Sequence, residues 1–142
     1  MDDKKAKIAR QFIEAIPHAR VLGLTITQIG DGHAEAEMPF ADHLVGDPAT
    51  GVIAGGAVST LLDTCSGAAV IAHPTGPAST ATLDLRIDYM RPATPGTTIV
   101  AEATCYHITR TVAFVRATAY DGDRARPVAT ANGAFTVAGG KA

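Results

Sequence analysis

Asp63 is the only charged residue between Ala54 and Ala72, a run that otherwise contains Ala, Val, Leu, Ile, Gly, Ser, Thr and Cys and no Pro. A lone carboxylate in such a segment needs a hydrogen-bond partner, a wet cleft or a catalytic role, because an unpaired buried charge is costly. A structural carboxylate bonded to Ser59, Thr60 or a neighbouring strand would satisfy the same need. At the start of the segment stands Gly55-Gly56. If a helix begins there, its first amides have no intrahelical acceptor and little side-chain bulk in front of them. Such an end can receive a developing negative charge, as on a carbonyl oxygen becoming an oxyanion. The glycines equally permit close packing where a loop enters a helix.

Gly55 and Asp63 are eight residues apart, so in a helix they are separated by roughly 12 Å along the axis. They cannot both touch one reacting carbonyl. If both act on one substrate, two copies of the helix must run antiparallel, with the Gly55 end of one facing Asp63 of the other. That arrangement requires a two-fold dimer with two shared sites.

The rest of the chain must position this helix. Residues 3–16 carry Ile8, Phe12, Ala15 and Ile16 at helical spacing, which predicts an amphipathic N-terminal helix, within 1–18, that Pro17 stops. From Val21 the period becomes two: Leu22, Leu24 and Ile26 lead to a turn at Gly30-Asp31-Gly32, and Ala34, Ala36 and Met38 then alternate with Glu35 and Glu37. Residues 41–53 have loop composition. The long central helix, 54–72, has a broad apolar face (Val58, Leu61, Leu62, Cys65, Ala68, Ala69, Ala72) and a stripe of small or polar residues (Gly56, Ser59, Thr60, Asp63, Ser66, Gly67). In 79–90, Leu83, Leu85, Ile87 and Tyr89 alternate with Thr82, Asp84, Arg86 and Asp88, and further β-rich runs occupy 97–109, 111–120 and 126–137. Helix, two strands, long helix, then four strands in hairpins predicts an α+β domain, a helix packed on an antiparallel sheet.

The 142 residues suit a single domain, 1–142, whose Gly-Gly-Lys-Ala tail at 139–142 is expected to fray. Hydrophobic residues at 46% and charged residues at 18% describe a globular chain, and with 5% aromatics its core must rest on Ala, Val, Leu and Ile. A net charge of −2 with scattered basic residues is not the footprint of a nucleic-acid or anionic-membrane binder. No apolar run is long enough to span a bilayer, and the charged N-terminus has no signal-peptide character, so a cytoplasmic location is expected. Cys65 and Cys105 read as reduced thiols, with no metal-ligand spacing.

The segments GVIAGGAVSTLLDTCSGAAV and ATLDLRIDYMRPATPG resemble the hotdog-fold acyl-CoA thioesterases of the PaaI-like group, with their pattern G-x-[IL]-H-G-G, L-x-D and T-x-x-L-x-[IV]-x-Y-x-R-P-A. The resemblance implies a long helix wrapped by an antiparallel sheet, in dimers or tetramers with active sites shared between subunits. It implies hydrolysis of an acyl- or aryl-CoA thioester, with no cofactor beyond the coenzyme A of the substrate and no metal. Asp63 matches the carboxylate that activates water or attacks the carbonyl. Gly55, with Gly56 beside it, matches the residue whose amide polarises that carbonyl, and Thr82 matches a Ser/Thr near the hydrolytic water. Ala54, Ser59 and Thr60 fall where substrate is bound, and Arg91, Arg110 and Arg116 carry the planar donors that suit phosphates of coenzyme A, or surface ion pairs. The chain departs from the pattern at Ala54, where the family has His, and near Pro48, where many members have Asn. A non-catalytic acyl-CoA-binding protein and, ranked lower, a hotdog dehydratase are the alternative readings.

Overall fold

The computed structural model describes residues 3–139. The Gly140-Lys141-Ala142 part of the expected tail lies outside the described residues; Gly139 itself sits against Ala78, beside a bridge between Ser79 and Ala138.

Helix α1 (Asp3–Glu14) forms as its periodicity predicts, but it buries Ala9 and Ile13. Ile8 and Phe12, on the expected apolar face, are 57% and 68% exposed. The Glu14 carboxylate fastens the end of α1 to the sheet by accepting the Ile26 amide at 3.0 Å. Pro17 does not end helical structure. It opens α2 (Pro17–Leu22), where a fixed φ and a missing N–H suit the first helical position. Gly23, at φ 73°, closes α2, so Val21 and Leu22 are helical and the first strand starts later than their alternation suggested.

Strands β1 (Thr25–Gly30) and β2 (His33–Met38) form the expected hairpin. Asp31 and Gly32 both take positive φ in its two-residue turn, as Asp-Gly turns do. The 41–53 segment holds a 3-10 turn (Asp42–Leu44) and a small ribbon of β3 (Val45–Asp47) and β4 (Val52–Ile53). A Cβ on Gly46 would come within 2.7 Å of the Ala54 Cα, so only glycine lets this ribbon lie against the start of α3 (Gly55–Ile71).

The last strands are β5 (Thr82–Tyr89), β6 (Ile99–Ile108), β7 (Val112–Tyr120) and β8 (Ala129–Thr136). Among the described residues they complete a six-stranded antiparallel sheet in the order β1-β2-β6-β7-β8-β5. Of these last four strands, only β6, β7 and β8 follow one another as neighbours. β5 pairs with β8 instead of entering a hairpin with β6, so the connection through Pro92 and Pro95 crosses from the sheet's edge to its middle. This is the hotdog arrangement, with α3 packed on the sheet.

Small residues set the distance between helix and sheet. Ala34 and Ala36 of β2 pair with Ala103 and Ala101 of β6, which pair in turn with Ala117 and Ala119 of β7, all buried. Over them α3 buries Val58, Leu61, Leu62, Cys65, Ala68 and Ala69, and also Ser66, which the sequence pattern had placed on the polar stripe. Burying each Leu contributes about 2 kcal/mol. The approach is close enough for the Cys65 thiol to donate to the Ala34 carbonyl at 3.4 Å.

Candidate active site

Asp63 is half-buried at the middle of α3, and its Oδ1 accepts a 2.6 Å hydrogen bond from the Thr82 hydroxyl. A defect in the sheet makes that bond possible. Thr82 pairs with Phe135 and Asp84 with Ala134, leaving Leu83 as an extra residue. A bulge of this kind reverses the in–out alternation. Leu85, Ile87 and Tyr89 keep the helix side, Leu83 turns outward to 59% exposure, and Thr82 takes the inward position that strict alternation would have given Leu83. Gly133 accommodates the bulge: a Cβ there would meet Leu85, Phe135 and the Asp84 carbonyl at 2.9–3.0 Å.

Asp63 and Thr82 open onto a cavity of about 440 Å³, within the size range of small-molecule sites. Thr60 and Thr64 of α3 line it on one side, and Phe12, Ile13 and Ile16 close it on the other. His18 of α2 also lines it, the one imidazole on this cavity among the described residues. The sequence carries no signal for that placement, since α2 itself was unexpected.

The start of α3 offers the second half of the chemistry. Ala54, half-buried at its N-cap, makes no side-chain cap, and the exposed Gly55 and Gly56 occupy the first two helical positions. Amides there have no intrahelical acceptor and point away from the helix. The Gly55 carbonyl lies 2.7 Å from the Tyr89 hydroxyl and 3.0 Å from the Ser59 hydroxyl, and the two hydroxyls lie against each other; with one proton apiece they fill two of these three contacts at a time, at least one of them onto the carbonyl. The N–H of the peptide unit held this way belongs to Gly56, and bonds accepted by its carbonyl polarise it toward stronger donation. Tyr89 is a site residue the sequence pattern did not single out. Its contact links positions 34 apart across two elements.

The remaining candidates divide. Ser59 and Thr60 bond helix carbonyls, of Gly55 and Gly56, and not Asp63; the Asp63 partner comes from the neighbouring strand. Arg91 is engaged elsewhere, its two terminal nitrogens bonding Asp121 at 2.7 and 2.5 Å. That guanidinium holds the Asp121 carboxyl well below the usual carboxylate range. Arg110 is exposed in the β6–β7 turn, and Arg116 lies over the Tyr106 ring at 4.1 Å. His43 is exposed and bonds the Val21 carbonyl at 2.7 Å. Cys65 and Cys105 are free and buried, and burial pushes the Cys65 thiol up to about 12, which leaves it without nucleophilic character.

A family profile described as the thioesterase superfamily matches residues 50–128, the span from the β3–β4 ribbon through α3 to the start of β8. A solved Pseudomonas aeruginosa protein is 37% identical, with 94% of this chain and 99% of that one covered, and superposes with a TM-score of 0.84. A thioesterase family protein from Silicibacter pomeroyi is 27% identical over 93% of this chain and 96% of its own, with a TM-score of 0.82. The fold is also that of the Escherichia coli PaaI protein, at 22% identity, 97% and 96% coverage and a TM-score of 0.83.

Proposed function

From the fact that the chain belongs to the thioesterase superfamily, we propose that it hydrolyses an acyl- or aryl-CoA thioester to the carboxylic acid and free coenzyme A. The observation that carries this reading is the Asp63–Thr82 pair opening onto a cavity, with the uncapped first turn of the same helix about two turns away. Asp63 takes a proton from water, the hydroxide attacks the thioester carbon, and the oxyanion forms against the Gly55 and Gly56 amides. Collapse of that tetrahedral species expels coenzyme A thiolate, a leaving group that needs little acid assistance; the proton held on Asp63 then passes to the thiolate or to solvent and restores the carboxylate. Thr82 occupies one carboxylate oxygen and leaves the other for water.

Because one helix cannot bring both ends to one carbonyl, the working unit is a two-fold homodimer in which Asp63 faces Gly55 of the partner subunit. Strand β5 supports this assembly. It is one of the two outer strands of the sheet and the one that bonds α3 through Thr82 and Tyr89, its other long edge is unpaired among the described residues, and Leu83, Tyr89 and Met90 on or beside it are 59%, 49% and 56% exposed. An antiparallel match of two such edges continues the sheet and brings the small-residue stripe of each α3 toward its mate. Pairing of two dimers into a tetramer is compatible with this geometry.

The test is release of free thiol from short, medium, long and aromatic acyl-CoAs. Turnover of at least one class, lost in Asp63→Asn, is the expected result. Tight acyl-CoA binding without turnover would favour a binding protein that has dispensed with the imidazole at Ala54.

A further inference from the structure

The cavity at Asp63 does not end beside it. A second cavity, of about 610 Å³, shares Phe12, Ile71 and Ala78 with the first and continues to Lys5, Asp31 and His73. The two form one groove between α1 and α3, polar at the Asp63–Thr82 end, polar again at the Lys5 end, and apolar between. Ile8 and Phe12 are its most conspicuous walls. They stand one turn apart on a helix that buries a different pair, Ala9 and Ile13, and they remain 57% and 68% exposed. Two large apolar side chains so placed serve no core of this chain, and exposed apolar surface of that kind marks a binding face.

We propose that this groove holds the acyl chain of the substrate and that α1 sets its length, making a straight medium-chain acyl group the preferred class. The inference rests on the thioesterase reading, because the carbonyl at Asp63 fixes where the chain begins. Asp63 and Ile71 are eight residues apart on one helix, a distance of roughly 12 Å. An extended chain with bonds of about 1.5 Å advances roughly 1.3 Å per carbon, so about nine carbons cover that span. Past Ile71 the groove continues along Ile8, Pro74 and Pro77 for a few more carbons before it meets the polar groups of Lys5, Asp31 and His73, beyond which further methylenes gain no apolar contact.

Non-hydrolysable S-alkyl-CoA thioethers with ethyl, butyl, octyl and hexadecyl chains, titrated calorimetrically into the intact protein, separate this proposal from the hydrolase reading. Affinity should rise on the order of two- to fourfold per added methylene up to octyl and then level off. Ala78→Phe, which fills the shared waist of the groove, should collapse the octyl-to-ethyl affinity ratio by at least about tenfold. Phe12→Ala, at an exposed position with no folding role, should lower the same ratio about fivefold. A ratio near one in the wild type, or one that neither variant changes, overturns the proposal; unchanged ratios with a smaller assembly in Phe12→Ala would assign this face to a second copy of the chain. If thioester turnover is absent while the ratio behaves as expected, the groove stands and the hydrolase reading falls. Turnover indifferent to chain length would do the reverse.

Discussion

At the scale of single residues, the proposed chemistry reduces to one carboxylate and one pair of amides. Asp63→Asn keeps the shape and the Thr82 bond but removes the base, and should lower kcat on the order of 10³-fold with the fold intact by circular dichroism. Tyr89→Phe removes one donor from the Gly55 carbonyl and should lower kcat about fivefold with KM little changed, the signature of a contact that matters most when the oxyanion forms. Both thiols are buried, so a thiol reagent at pH 8 should find none in the native protein and two after unfolding. The places of Asp63 within the helix and of Gly55-Gly56 at its start are legible in the sequence because their signals are local: an isolated charge and adjacent glycines in a single helical pattern. Tyr89 and the Asp121 partner of Arg91 were not, because each contact joins residues 30 or more positions apart through the sheet's pairing.

At the scale of elements, alternation and helical spacing gave the hairpin, the long helix and the last three strands nearly to their ends. They failed where one position changes the phase. Strict alternation groups Leu83 with Leu85, whereas the bulge opposite Ala134 and Phe135, next to Gly133, turns Leu83 out and Thr82 in, and nothing within β5 itself announces it. In α1 the apolar residues outnumber what the core can take, so the pair that fits, Ala9 and Ile13, is the smaller-profile one. Pro17 looks like a stop in the sequence because the helix it opens is only six residues long and begins at the proline itself. The Arg91–Asp121 pair ties the end of β5 to the loop after β7, and Asp121 also accepts the Thr94 amide at 2.7 Å. Asp121→Asn should lower the melting temperature by roughly 5 °C at pH 7. Since the folded state favours the ionised form of Asp121, its contribution is full above the ordinary carboxylate pKa of about 4 and is lost as pH falls through the lower folded value. The gap between wild type and variant, measured by thermal melts from pH 7 to pH 2.5, should therefore narrow only on the acid side.

At the scale of the whole molecule, the proposed chemistry, given the length of α3 between Gly55 and Asp63, requires assembly. Leu83→Lys places a charge on the open edge of β5 at a site already exposed in the single chain. It should yield folded monomers by light scattering, with turnover lost together with the dimer. Gly55→Pro removes one of the two first-turn amides at a position that tolerates proline: it is the first helical residue, and Ala54 before it is already extended at ψ 136°. The most direct measurement mixes unfolded Asp63→Asn with unfolded Gly55→Pro, refolds them together and assays thiol release from an acyl-CoA that the wild type cleaves. Each variant alone should be nearly inactive, and random pairing should restore about a quarter of wild-type turnover, because half the dimers then carry one intact site. A mixture as inactive as its parents, with mixed dimers present by mass, would contradict a site shared between the two helices.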